Sequence, residues 1–224
     1  KTYSTDGKTA RRHLEGSLKR MKTDYLDLWQ VHSLQSPDDV DTRIDNQVLD
    51  VVAEAKKSGK VRYVGFTGHR SPYAHARMLD KTGDDFFQTA QFPINVVDSG
   101  VEHSFIHHVL PRLVDRNMGV LAMKTLADGR FFSKKVQNGN VKWDTNNPVV
   151  PDFITLEEAL DFVWSLPVSV LITGAENPQL LKEKITMARR FEKMSEDDRN
   201  RLVDKVADLP NKGKVEYYKN VQTG

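Results

Sequence analysis

The sequence predicts an α/β fold of parallel βα units, a partial (β/α)8 TIM barrel with about five of the eight units present. Three observations carry this. Apolar runs of strand length alternate with amphipathic runs of helix length, the pattern of right-handed βαβ crossovers. The first strand, Asp24 to His32, is apolar nearly end to end, as expected of a sheet covered on both faces. No G-x-G-x-x-G turn follows any strand, which disfavours an open nucleotide-binding sheet and leaves the barrel. Five strands cannot close an eight-stranded ring, so three are expected before Lys1. One domain over residues 1–224 is anticipated.

Taken in order, Ala10, Leu14, Leu18 and Met21 recur at helical spacing and predict a helix over about 8–22. The strand ending at His32 follows, then a polar loop over 33–41. Val48, Val51, Val52 and Ala55 mark a helix that Gly59 stops. The next strand runs from Val61 to Thr67. Ser71-Pro72 supplies an N-cap and a first-turn proline for a short helix. Phe86 to Phe92 reads as a strand, Phe105 to Val114 as a helix, and Gly119 to Lys124 as a strand. Residues 127–154 hold Asn138-Gly139-Asn140 and Asn146-Asn147-Pro148, which is loop chemistry; a loop that long reads as a functional lid whose Phe131, Phe132 and Trp143 either line a pocket or pack it. Thr155 with Glu158 forms a capping box for the next helix. Val168 to Thr173 is the fifth strand, Asn177-Pro178 opens a helix, and Ser195 with Asp198 opens an extra C-terminal one near 195–208. The tail from Pro210 is expected on the surface.

Composition narrows the function classes. A net charge of +2 gives no electrostatic reason for a nucleic-acid or membrane-surface partner. Cysteine is absent, so disulfides, thiolate nucleophiles and iron–sulfur clusters are excluded. No apolar run approaches the ~18 residues of a membrane span and no leader pattern opens the chain, so a cytoplasmic location is expected.

In parallel sheets chemistry gathers at the carboxyl ends of the strands. Those ends supply His32, Thr67-Gly68-His69, Gln91, Met123-Lys124 and Thr173-Gly174-Ala175. This set is polar and mostly uncharged, a poor metal cage but a workable cradle for a neutral ring bearing an amide. Gln91, in an otherwise apolar strand, needs a partner for its amide; a loop backbone would serve as well as a ligand. A rival reading takes His32, His69 and Asp98 as ligands of a metal-dependent hydrolase. Another is a cofactor-sensing barrel without turnover.

The stretch Thr23-Asp24-Tyr25-Leu26-Asp27-Leu28-Trp29-Gln30-Val31-His32, preceded by Ser17-Leu18-Lys19-Arg20, closely resembles the aldo-keto reductases. The likeness continues through Gly59 to Thr67, Gly119 to Lys124 and Val168 to Ala175. It implies NAD(P)H-dependent interconversion of an aldehyde or ketone and an alcohol, with a small carbonyl compound as substrate. His32 matches the histidine of the family's catalytic tetrad, and Lys1 matches its lysine. The tetrad aspartate and tyrosine lie upstream in the family and have no counterpart in these residues; Tyr3 and Tyr25 do not fall at the tyrosine's place. Thr67 and Gln91 match groups that hold the nicotinamide carboxamide, while Gly68 replaces the family's asparagine there. Met123 falls where many members stack a tyrosine on the ring. Lys124 matches a pyrophosphate contact, although a lysine snorkelling at the rim reads as well. Gly174 opens the adenosine end and Glu183 matches the adenine-proximal glutamate, with Lys184 in place of the usual asparagine. The basic residue and arginine that clamp a 2′-phosphate are replaced by Gly174 and Leu180, which leaves NAD beside NADP as the expected cofactor.

Overall fold

A computed structural model of the chain describes residues 1–131, 135–137, 140–143, 153–175, 177–207 and 215–219. Five parallel strands pair in the order β1 (Leu26–Val31), β2 (Val61–Thr67), β3 (Thr89–Pro93), β4 (Gly119–Met123) and β7 (Val170–Leu171). The expected α/β class with a parallel sheet is therefore the observed one. The chain forms two compact units, the first of Lys1–Phe92, His108–Val120 and Tyr218–Gly224, the second of Pro93–His107 and Leu121–Tyr217. Among the described residues no helix is long and apolar enough to cross a membrane.

In the first unit, α1 (Gly7–Met21) starts where the Asp6 carboxylate accepts from Thr9 N, and it buries Ala10, Leu14 and Leu18. β1 and β2 run in register from Leu26↔Val61 to Val31↔Phe66, and β2 meets β3 at Gly65↔Thr89 and Thr67↔Gln91. A glycine is required at 65, because a Cβ there would stand 2.2 Å from the Thr89 hydroxyl and 2.7 Å from its carbonyl. Thr2 adds an isolated parallel bridge to Val31. The core includes Trp29, Leu34, Phe66, Phe92, Met78, Leu79 and Leu113, all essentially without exposed surface. α3 (Val48–Lys57) and α4 (Pro72–Lys81) form as expected.

One element was not anticipated. The stretch read as a polar loop over 33–41 gives way at Pro37 to α2 (Pro37–Asp45), capped by Ser36, which accepts from Asp39 N at 3.2 Å. Only Val40 and Arg43 are buried on it, so its apolar periodicity is too slight to read. A second difference follows from proline. The helix expected over Phe105–Val114 is two pieces, α5 (Phe105–His108) and α6 (Leu110–Asp115), because Pro111 can donate no backbone hydrogen bond and opens a new first turn.

In the second unit, β4 pairs with β7 at Leu121↔Val170 and Ala122↔Leu171. α7 (Leu156–Trp164) carries the expected reciprocal capping box, α8 (Pro178–Arg190) is capped by Asn177, and α9 (Glu196–Lys205) by Ser195. Ile94, Phe105, Phe131, Ile154 and Leu160 pack its core. The segment read as a long loop contains an antiparallel hairpin, β5 (Lys135–Gln137) with β6 (Asn140–Trp143); Phe132 lies outside the described residues. Of the tail expected on the surface, Tyr217 and Lys219 are half-buried, Glu216 is buried, and Val215 and Tyr218 are only 4% and 7% exposed. The last two are apolar-bodied side chains that gain from leaving water.

Candidate active site

The ladder of β1, β2 and β3 brings four of the expected residues of the first unit to one end. Thr67 is the register partner of Gln91, and one further step along β1 puts His32 beside Thr67. The Thr67 hydroxyl lies 3.5 Å from His32 Nδ1, at the outer limit of a hydrogen bond. Lys1 reaches the same place from the parallel bridge. Thr2 N donates to Gln30 O and His32 N to Thr2 O, and Lys1 Nζ then donates to Gln91 Oε1 at 2.9 Å. So the amide singled out as needing a partner accepts from the lysine through its oxygen. Tyr3 is 69% exposed with its ring against His13.

The electrostatics keep this end neutral at His32. Burial comes first and the Lys1 charge second in driving its pKa from 6.5 down to about 4. Lys1 is exposed as a residue, yet neighbouring atoms strip part of the water from its ammonium and lower its pKa. The imidazole is therefore neutral at neutral pH.

Gly68 donates its N–H to Gln91 O at 3.2 Å. A Cβ on it would meet Leu34 O and the His75 ring carbon Cε1, both at 2.8 Å. The asparagine that the resemblance would place at this position therefore has no room here. His75 is fully buried between Phe66 and Phe92, with centroids at 5.3 and 5.7 Å, and burial lowers its pKa to about 4. His69 turns to the edge of Tyr218.

The second unit holds the remaining expected residues. Met123, half-buried, ends β4 and accepts from Ile94 N through its carbonyl. Lys124 adopts a left-handed backbone (φ 56°), and its ammonium pairs with Asp128 at 3.0 Å. Asp128 also accepts from the Tyr217 hydroxyl, while the Arg130 guanidinium lies 4.1 Å over the Tyr217 ring. Gly174 is exposed with open space around its Cα, and Glu183 is exposed and accepts from Gln179. Lys184 is buried and donates to Thr173 Oγ1 and Gly174 O. Asp98, one member of the rival metal set, is fully buried and accepts from Ser104 Oγ and from the N–H groups of Phe105 and Ile106. Its carboxylate caps a helix start, which argues against the hydrolase reading.

Sequence reasoning missed the groups behind His32. Ser33, next along the chain, has a left-handed backbone (φ 62°). Its carbonyl accepts from Gln35 Nε2 and from Arg43, a buried arginine on α2. The readable signal was Asp39 four residues before Arg43, an i,i+4 ion pair.

Comparison with known proteins bears on the family and the fold. Residues 2–207 match the model of the Aldo/keto reductase family. Uncharacterized oxidoreductase YqkF of Bacillus subtilis (strain 168) is 27% identical over 194 residues, covering 77% of this chain and 58% of that protein. Uncharacterized oxidoreductase YrpG of the same organism is 33% identical over 132 residues, covering 57% and 37%. The match thus spans less than two thirds of either relative. Among solved structures, aldo-keto reductase AKR11C1 from Bacillus halodurans (holo form) superposes with a TM-score of 0.68 at 17% identity, covering 91% of this chain and 68% of that one. That likeness speaks to the fold.

Proposed function

This chain belongs to the aldo/keto reductase family, and from that premise we propose that the protein reduces an aldehyde or ketone to an alcohol, or runs the reverse, with NAD(P)H. The observation that carries the reading is the meeting of Lys1, His32, Thr67 and Gln91 at the carboxyl ends of neighbouring strands, with His32 held neutral.

The residues present suit a nicotinamide. Gln91 and Thr67 offer an amide and a hydroxyl to a carboxamide. Held there by Gln91 and Thr67, a reduced nicotinamide would supply the hydride. Charge then develops on the carbonyl oxygen, and fixed donors aimed at it lower the barrier. A Thr67 hydroxyl donating to Nδ1 leaves the proton of His32 on Nε2, which makes Nε2 the donor that orients the carbonyl. Lys1 contributes positive charge, which favours an ionised phenol beside it. In the family that phenol and its aspartate lie upstream of the matched segment, so no residue named here is given the proton-donor role. Met123, Lys124, Gly174 and Glu183 remain the expected cofactor contacts of the second unit; Lys124 would exchange Asp128 for a pyrophosphate oxygen. With Gly174 and Leu180 at the clamp positions, NAD(H) should bind at least as well as NADP(H).

The test uses the full-length protein. Titration by fluorescence with NADH and NADPH, followed by loss of reduced-nicotinamide absorbance with a panel of aldehydes and ketones, should show binding and turnover. Binding without turnover would indicate the cofactor-sensing alternative. Neither binding nor turnover would overturn the reading.

A further inference from the structure

We infer that Arg43 is a positioning residue: with Gln35 it holds the left-handed turn at Ser33 and so aims the His32 ring. This rests on the role proposed above for His32. Ser33 takes a backbone conformation that L-residues other than Asn and Asp seldom adopt (φ 62°), directly after the histidine. Such a conformation persists only where its surroundings over-determine it. Here they do. Gln35 Nε2 donates to Ser33 O at 2.5 Å and to Ser33 Oγ at 2.7 Å, and Arg43 Nη2 donates to the same carbonyl at 3.3 Å.

Arg43 also joins the two segments that carry the catalytic candidates. Its Nη1 donates to His32 O at 3.1 Å and to Ser4 O at 3.3 Å, three residues after Lys1. Its Nε pairs with Asp39 at 3.0 Å, and Asp39 in turn accepts from Gln35 N at 2.9 Å. The guanidinium is 3% exposed. A buried cation is a poor way to fill space, and a hydrophobic residue of similar volume does as well or better for stability alone. What the planar fork does, and a hydrophobe or a point-charge lysine cannot, is reach several carbonyls in fixed directions.

The experiment compares full-length wild type with Arg43→Lys, Ser33→Gly and the double variant. It combines steady-state aldehyde reduction with NMR titration of 13C-labelled histidine rings. Arg43→Lys keeps the charge beside Asp39 but loses the fork. It should lower kcat by about tenfold to a hundredfold, with the KM for reduced cofactor changed by less than about twofold. The His32 midpoint should rise from about 4 toward the ordinary histidine value as the ring meets more water. Glycine has no penalty in the left-handed region, so Ser33→Gly in the Arg43→Lys background should restore most of the turnover and the low midpoint. A merely structural arginine would lower thermal stability, leave kcat and the midpoint alone, and gain nothing from the glycine; that result overturns the inference. If wild type reduces no carbonyl, the function proposed above fails, and the NMR arm still decides whether Arg43 aims His32. Should Arg43→Lys not fold, Gln35→Ala removes the other hold on Ser33 without disturbing a charge, and an unchanged His32 midpoint there overturns the inference equally.

Discussion

Placing a methyl group on Gly68 should destabilise the first unit measurably, although alanine is the smallest change available. The new Cβ would stand 2.8 Å from Leu34 O and 2.8 Å from His75 Cε1. Neither neighbour can withdraw easily. Leu34 N is bonded to Thr67 O at 2.9 Å, which pins that loop to the end of β2, and the His75 ring is wedged between two phenylalanines. Gly68 does not have the positive φ that would add backbone strain, so the cost is steric alone. Overpacking of this kind costs roughly 1–3 kcal/mol. In a chain of this length each kcal/mol lowers Tm by about 2–4 °C, giving a fall of roughly 2–12 °C. Thermal unfolding by circular dichroism would read it. In a His75→Ala background, which removes one of the two obstacles, the cost of Gly68→Ala should shrink by about half. A Gly68→Ala protein that melts within about 1 °C of wild type would refute the packing described, and with it the explanation for the missing asparagine.

Two further predictions concern charge. His75 is neutral in the fold at about 4, against 6.5 unfolded. The unfolded chain therefore binds more protons between those values, and stability is full above pH 6.5, falls as pH drops toward 4, and falls no further from this source below it. For this fully buried ring the loss is roughly 3 kcal/mol; half-exposed His32 adds to it in the same window with a smaller share. Urea unfolding across that range should show the slope, and His75→Leu should flatten it; an equal slope in the variant would contradict the assignment. Leu180→Arg should move preference toward NADPH by roughly 1.5–3 kcal/mol through a charge-assisted contact, read by fluorescence titration of both cofactors. A wild-type complex already far tighter with NADPH would mean that other residues hold the phosphate.

What the sequence disclosed was what local chemistry determines. The strand before His32, the Thr155–Glu158 capping box and the Asn177 and Ser195 caps each need only a few neighbouring residues, and each forms, the strand over Leu26–Val31 and so shorter at both ends than the run from Asp24 to His32. α2 escaped notice because two buried positions make no period, although Ser36-Pro37-Asp38-Asp39 is a helix start by composition. The segment at 215–219 reads as surface because a single Val and two Tyr among lysines look solvated; their partners, such as Asp128 for Tyr217, lie far back in the chain. The same holds for the site. Thr67 and His32 could be placed by counting strands, but the Lys1–Gln91 bond joins residues 90 apart. The i,i+4 spacing of Asp39 and Arg43 suggests an ion pair, but nothing local places that pair behind His32.

The central claim is that His32 orients a substrate carbonyl beside a bound nicotinamide, and one variant tests it most directly. His32→Phe in the full-length protein keeps a ring of similar size and removes the donor. Its contribution is made in the transition state, so kcat for aldehyde reduction should fall by roughly 10²-fold or more, while NADH and NADPH affinities measured by fluorescence stay near wild type. A folded variant that binds cofactor normally and reduces the same aldehydes at the wild-type rate would contradict the account.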